Sequence, residues 1–290
     1  MRDYTIFTDS SADLDPVMAE KLGVQVLPMN FILDGKTYAN WPDGRELGFD
    51  DFYDRLRKGG MSSTSQVNTT EFIDMFRPYL QKGVDIAYIG LSSGLSGTVN
   101  SAFVAAEELM KEFPESKVRV VDSLSASLGE GLVVFYAAQM KKQGHSIDDT
   151  VDWINKHKLN FAHWFTVDDL DFLRRGGRLS GAVALFGAML SIKPVLHVDN
   201  EGHLISMSKA RGRKNSLNAL VEHMAETAIE PDDQIVFISH GDCLKDAEYT
   251  ADEIRRRFGT KDIYINYVGP VVGSHSGPGT IALFFFASER

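Results

Sequence analysis

The sequence predicts an α/β protein: an N-terminal, mainly parallel sheet flanked by helices, then a C-terminal α/β domain with a mixed or antiparallel sheet. Three observations carry this. Short apolar strand patterns alternate with helical patterns through the first half, as in a parallel sheet covered on both faces. That rhythm changes near Leu159. Beyond it, residues 195–198 and 203–207 flank Asn200-Glu201-Gly202, a hairpin signal that implies antiparallel pairing. A chain of 290 residues suits two domains, and the change of pattern divides it into 1–158 and 159–290. No repeat or low-complexity linker separates the two, so they are expected to pack closely.

Each element follows from local pattern. The first strand, 4–7, opens onto the polar run Thr8-Asp9-Ser10-Ser11-Ala12-Asp13 and a helix over 16–22. Residues 24–33 read as one strand, closed by the turn signal Asp34-Gly35. A helix over 49–58 leads into another polar loop, Gly59-Gly60-Met61-Ser62-Ser63-Thr64-Ser65-Gln66. Phe72, Met75, Phe76, Tyr79 and Leu80 give the next helix its apolar face. The apolar run 84–91 reads as a buried strand, and 118–121 as another that stops at Asp122-Ser123. Helices follow over 128–143 and from Ser146. In the second half, a strand over 159–167 and a short helix precede Arg174-Arg175-Gly176-Gly177-Arg178-Leu179-Ser180. Residues 181–192 are apolar nearly all round, the pattern of a buried helix. After the hairpin come helices over 214–228 and 245–258 and strands over 235–239, 263–268 and 281–287. Between the last two strands lies a loop of glycine, serine and proline, from Gly269 to Thr280, which carries His275.

Composition narrows the partners. The formal net charge of −10 argues against nucleic acid or an anionic membrane surface. The one cysteine, Cys243, excludes an intrachain disulfide and fits a reducing compartment. The N-terminus runs directly into a strand without a signal-peptide pattern, and no apolar run is long enough to span a bilayer. A cytoplasmic protein with no stable membrane insertion is the resulting expectation.

The chemistry concentrates in Gly90-Leu91-Ser92-Ser93-Gly94-Leu95-Ser96-Gly97-Thr98, between a strand end and a helix start. Val99, Ala102, Phe103, Ala106, Leu109 and Met110 mark one face of that helix. Helix N-termini carry unpaired N–H groups and partial positive charge, and small residues let a ligand approach them. The loop therefore suits an anion, a phosphate or a carboxylate. Gly90-Leu91-Ser92-Ser93-Gly94 also fits the G-x-S-x-G elbow of serine hydrolases, with Asp242 and His275 available later in the required order. No phosphate-loop motif is present, and Gly129-Glu130-Gly131 lacks the third glycine of a dinucleotide fingerprint. His240-Gly241-Asp242-Cys243 has no second cluster to complete a metal site and reads as a turn after a strand. His275 stands apart, in a segment with no apolar periodicity to bury it.

Taken together these segments resemble the DegV family. The matching stretches are Thr8-Asp9-Ser10, Thr64-Ser65-Gln66, the run Leu91 to Thr98, Asp122-Ser123, the run Arg175 to Ser180, Lys193-Pro194-Val195-Leu196, His240-Gly241 and the run Gly269 to Gly279. They come in the family's order and cover nearly the whole chain. The resemblance implies a two-domain α/β protein that binds one long-chain fatty acid, such as palmitate, between its domains. It further implies a lipid carrier that is not itself an enzyme and needs no cofactor or metal. Such a carrier presents the acid to the ATP-binding subunit of a fatty acid kinase for acyl-phosphate formation. Carried over by position, Thr64 and Ser96 bind the carboxylate and His275 orients or polarises it. Ser65, Ser93, Gly97 and Thr98 are supporting neighbours, and Arg175 and Arg178 lie near the partner-facing opening. Where the family has proline after Thr64-Ser65-Gln66, this chain has Val67-Asn68. The apolar segment 181–192, with 281–286, is expected to line the tail tunnel, and Gly187 and Ala188 to let the tail pass close to backbone.

Overall fold

The computed structural model describes residues 2–179 and 192–290. The buried helix expected over 181–192, with Gly187 and Ala188, lies outside the described residues except for Ile192.

The first sheet is wholly parallel. It contains β1 (Tyr4–Asp9), β2 (Val24–Leu27), β6 (Asp85–Gly90) and β7 (Val118–Asp122) in the order β2-β1-β6-β7. Its central strands are buried almost throughout because both faces are covered. Phe7, Ile86 and Tyr88 pack with Phe72 and Phe76 of α3 (Thr69–Gln81) and Val99 and Ala102 of α4 (Thr98–Glu112). Ile6, Ala87 and Ile89 pack on the opposite side, with Met18 of α1 (Pro16–Leu22), Leu132 of α5 (Leu128–Lys142) and Val151 of α6 (Ile147–His157).

The second sheet is mixed. It orders β10 (Leu204–Arg211), β9 (Ile192–Val198), β8 (Phe161–Thr166), β13 (Ile281–Phe286), β11 (Val236–His240) and β12 (Ile263–Tyr267) from edge to edge. Only β11 and β12 pair in parallel. One face, with Trp164, Ile238, Leu283 and Phe285, is covered by Leu217 and Leu220 of α8 (Arg213–Thr227) and Ala247 of α9 (Leu244–Phe258). The other face presents Phe161, Phe165, Phe237 and Phe284 to α5.

Helix α5 is thus enclosed between the two sheets, and this explains its composition. Leu128, Leu132, Val133, Val134 and Ala137 are all buried. A Cβ at Gly129 would stand 2.6 Å from the Phe284 ring, and one at Gly131 would stand 2.7 Å from the carbonyl of Ala12. The two glycines are contact points that admit the Phe284 ring on one side and the turn after β1 on the other. Glu130 between them is buried and accepts hydrogen bonds from Thr8 Oγ1 and Ser11 Oγ, each at 2.8 Å.

Three expectations change. Residues 24–33 form two strands: β2 ends at Leu27, Pro28 interrupts the ladder, and β3 (Met29–Leu33) joins a separate antiparallel sheet. There β3 lies between β4 (Lys36–Asn40) and β5 (Ser62–Ser65), over Phe52 and Leu56 of α2 (Phe49–Arg57). The loop expected over 59–66 therefore contains a strand. The loop expected over 269–280 contains a helix, α10 (Pro270–Ser276), with proline at its first turn. The Asp34-Gly35 turn forms as read, with φ of 51° and 81°. A short helix, α7 (Asp171–Gly176), carries Arg174 and Arg175.

The Glu130 carboxyl is pushed well above the usual carboxylate range, first by burial and then by Asp9. The folded chain holds a proton that the unfolded chain releases, so this group's contribution to stability falls as pH rises above the ordinary glutamate range of about 4.3. Glu130→Gln, which keeps the shape without the titration, is expected to flatten the dependence of the urea midpoint on pH between about 5 and 7.

Candidate functional site

A cavity of about 280 Å³ opens where β5, the loop after β6, the end of α7 and α10 converge. That size is near the lower end for small-molecule sites, ~300–1,000 Å³. Its body is apolar: Met29, Leu91, Leu95, Phe165, Leu173 and Leu204 line it, with Val268 just before α10 and Val271 and Val272 on it. Of the strand 281–286, Ala282 lines it, whereas Leu283 and Phe285 face α8 and α9.

The polar end is assembled from distant segments. Antiparallel pairing with β3 sets Thr64 opposite Phe31. Its Oγ1 lies 2.8 Å from His275 Nε2, a bond that spans the chain from β5 to the last turn of α10. Ser96 is held by its N–H, which donates to Ser92 O at 3.1 Å. Its Oγ accepts from Thr98 N at 3.3 Å and lies 3.0 Å from Thr98 Oγ1. Thr98 Oγ1 accepts from Val67 N at 3.3 Å, tying the loop to the chain leaving β5. Gly97 is the N-cap of α4 and makes no side-chain cap, so the positive end of a long helix stands at the cavity wall.

The expected site residues do not all serve alike. Thr64, Ser65, Ser96, Gly97, Arg178 and His275 line the cavity. Thr98 is buried behind Ser96. Ser93 is exposed, and its N–H is spent on Asp122 Oδ1 at 3.2 Å. Arg178 is half-buried in the wall, donating from Nε to Leu95 O at 3.2 Å and from Nη1 to Gly176 O. Arg175 is exposed, its guanidinium 4.8 Å over the Phe172 ring and beside Met61 Sδ. Gln66, Ser127, His163, Ser276 and Thr280 also line the cavity. Nothing in the sequence marks His163, which sits in an apolar strand, or Ser127, which follows a loop of similar serines.

The electrostatics are those of a neutral pocket with one cation at its side. Burial, with a further contribution from Arg178, pushes His275 down to about 4, so its imidazole is uncharged at neutral pH. Burial holds His163 well below the ordinary histidine value too. Among the described residues, the buried His275 Nδ1 has no hydrogen-bond partner. It packs on Gly176, where a Cβ would lie 2.3 Å from that nitrogen.

The parts of a serine hydrolase are present but not assembled. Ser92 is fully buried, and its Oγ donates to Gly202 O at 2.9 Å. Asp242 is paired with Arg57. His275 Nε2 meets Thr64, and its Nδ1 meets no carboxylate. The His240–Cys243 segment is a turn, with Cys243 N donating to His240 Nδ1 at 3.3 Å.

Fold and cavity define an α/β protein built around a mixed-polarity ligand pocket. The chain belongs to the DegV family: the profile of that family, described as uncharacterised proteins, matches residues 3–288. It is 45% identical over 290 residues to the DegV domain-containing protein CPE0026 of Clostridium perfringens, covering all of this chain and 99% of the other. Among solved structures it is similar to a fatty-acid-binding DegV family protein from Thermus thermophilus, with TM-score 0.87, 29% identity and coverage of 99% and 100% of the two chains. It is likewise similar to DegV of Bacillus subtilis, a fatty acid binding protein, with TM-score 0.85, 29% identity and coverage of 98% and 99%.

Gly176→Ala is expected to leave the fold intact while displacing the imidazole from Thr64. A changed His275 side-chain ¹H–¹⁵N resonance at unchanged far-UV circular dichroism would show it.

Proposed function

We propose that this protein binds one long-chain fatty acid, with its carboxylate at Thr64, Ser96 and His275 and its tail along the apolar body of the cavity. The observation that carries this reading is the pairing of an apolar cavity with an end made of hydroxyls and a neutral imidazole. The ligand would lie between the parts 1–158 and 159–290, which supply Thr64 and Ser96 on one side and Arg178 and His275 on the other. The fatty acids bound by the similar proteins from Thermus thermophilus and Bacillus subtilis support it.

The energetics suit such a ligand. Burying a methylene contributes ~0.8 kcal/mol, so a chain of about sixteen carbons offers on the order of 12 kcal/mol before ordering costs. The tail supplies most of the affinity, and the head site needs no fully buried ion pair. Thr64 and His275 divide the work. With the imidazole proton on Nε2, the ring donates to Thr64 Oγ1, and the Thr64 hydroxyl proton is free for the carboxylate. Ser96 adds a second hydroxyl beside the α4 N-terminus. Arg178 offers charge from the wall. The carrier would then present the acid to a separate ATP-binding fatty acid kinase subunit, with Arg175 and Arg178 towards that partner, and would not itself turn over substrate.

Native mass spectrometry of freshly purified protein tests the reading. A stoichiometric fatty acid released on denaturation supports it; an empty protein that also fails to take up palmitate or oleate overturns it. Ser96→Ala and Thr64→Ala are each expected to weaken binding about five- to tenfold, ~1–1.4 kcal/mol. Unchanged affinity in both variants removes the head-site assignment. His275→Ala is expected to slow phosphorylation by a kinase partner more than it weakens lipid binding, and a normal phosphorylation rate would contradict its role.

A further inference from the structure

We propose that Asp13 is a positioning residue for the ligand site: its carboxyl bridges the cavity wall at Ser127 to the start of α10, and so seats His275. The proposal rests on the fatty-acid reading only for its binding readout.

Asp13 follows the tight turn Ser10–Ala12 and adopts φ 52°, a left-handed conformation that aspartate tolerates better than most residues. It is buried. Oδ1 accepts the N–H of Gly269 at 2.9 Å, and Gly269 is the N-cap of α10. A Cβ at Gly269 would stand 2.6 Å from that oxygen, so the approach requires glycine. Oδ2 lies 2.5 Å from Ser127 Oγ, which is itself 2.8 Å from Ser239 Oγ in β11. The Asp13 carbonyl accepts Asn266 Nδ2 of β12 at 2.7 Å. One residue thereby joins the N-terminus of α5, β12 and α10, with β11 reached through Ser127.

Ser127 shows what this bridge displaces. It precedes α5 as its N-cap yet makes no cap hydrogen bond, and its φ of 55° is in the left-handed region. Its hydroxyl faces Asp13 instead, while the residue lines the cavity. At the far end of α10, His275 meets Thr64. The position of α10 against Asp13 therefore bears on both the cavity wall and its polar end.

The carboxyl works in its neutral form. Burial pushes Asp13 up to about 8, against the lowering effect of Ser127 and Gly269, and Asp9 raises it further. Ionised, Oδ2 accepts from Ser127 Oγ; with a proton on Oδ2 the bond reverses, and Ser127 donates instead to Ser239. The other titratable groups facing it are Glu130 of α5, Tyr53 of α2 and Tyr264 of β12. Both tyrosines are raised above 10, so they are silent at pH 7–9. So is His275, at about 4. Glu130 is present in both proteins compared below, so their difference isolates Asp13.

The test compares wild type with Asp13→Asn, whose amide can accept from Gly269 and donate to Ser127 as the protonated acid does. Affinity is measured from pH 7 to 9 with palmitate kept monomeric, so that its carboxyl is ionised throughout. If binding needs the neutral carboxyl, wild-type affinity falls about tenfold at pH 9, one unit above the Asp13 value. Asp13→Asn should bind like wild type at pH 7 and stay flat. The ligand-free His275 ¹H–¹⁵N resonance should move over the same range in wild type only. Asp13→Ala should shift that resonance at every pH. If Asp13→Ala does not fold, the comparison with Asp13→Asn still decides. A wild type with no pH response in affinity or resonance, or an Asn variant that follows wild type, overturns the proposal. A wild type that binds no palmitate overturns the fatty-acid reading instead, and the His275 resonance then decides the role of Asp13.

Discussion

Helix α5 is pressed between two sheets, and the shape of the molecule follows from the space it is allowed. An apolar helix with one sheet can keep a wet face; a helix with two cannot. The sequence meets this constraint with branched and small side chains on every side and with glycines where strand side chains or a carbonyl come nearest. The result is a core shared by the first and second halves of the chain, in which Ile6 and Ala87 belong to the same cluster as Phe237 and Phe284. The cavity lies beside this shared core, with Ala126 and Ser127 at the entry to α5 forming part of its wall.

The polar groups near that core fall into two kinds. Asp9, Asp13 and Glu130 are satisfied by hydroxyls and backbone, with Asp9 Oδ2 accepting from the Tyr88 hydroxyl and Oδ1 from the Ser11 N–H. They are structural, and the polar run that holds two of them is closed to solvent. Thr64, Ser96 and His275 are different: they come from a strand edge, a loop and a short helix, and they meet at a cavity.

Much of this was legible in the chain, for identifiable reasons. Buried parallel strands such as 84–91 are continuous apolar runs, and α3, α4 and α9 have one-sided patterns. β5 was not legible, because Ser62-Ser63-Thr64-Ser65 has no apolar alternation; its partner β3 supplies the apolar side through Phe31. α10 was hidden by glycine and serine, although Gly269-Pro270 is a helix-start signal. Pro28 was the mark of a strand that changes sheets. At the site, the motifs held Thr64, Ser96 and His275, but a motif cannot say which way a hydroxyl points. Ser92 and Ser96 lie in one loop, and only Ser96 reaches the cavity. Ser93 turns outward.

The packing of His275 against Gly176 has a consequence of its own. A histidine that passes protons along needs a partner on each nitrogen, one to take from and one to steady the charge. Here, among the described residues, one nitrogen has a threonine and the other has no hydrogen-bond partner. The ring is a terminus, not a link. It can fix the direction of a hydroxyl, and with it the direction from which a bound head group is held.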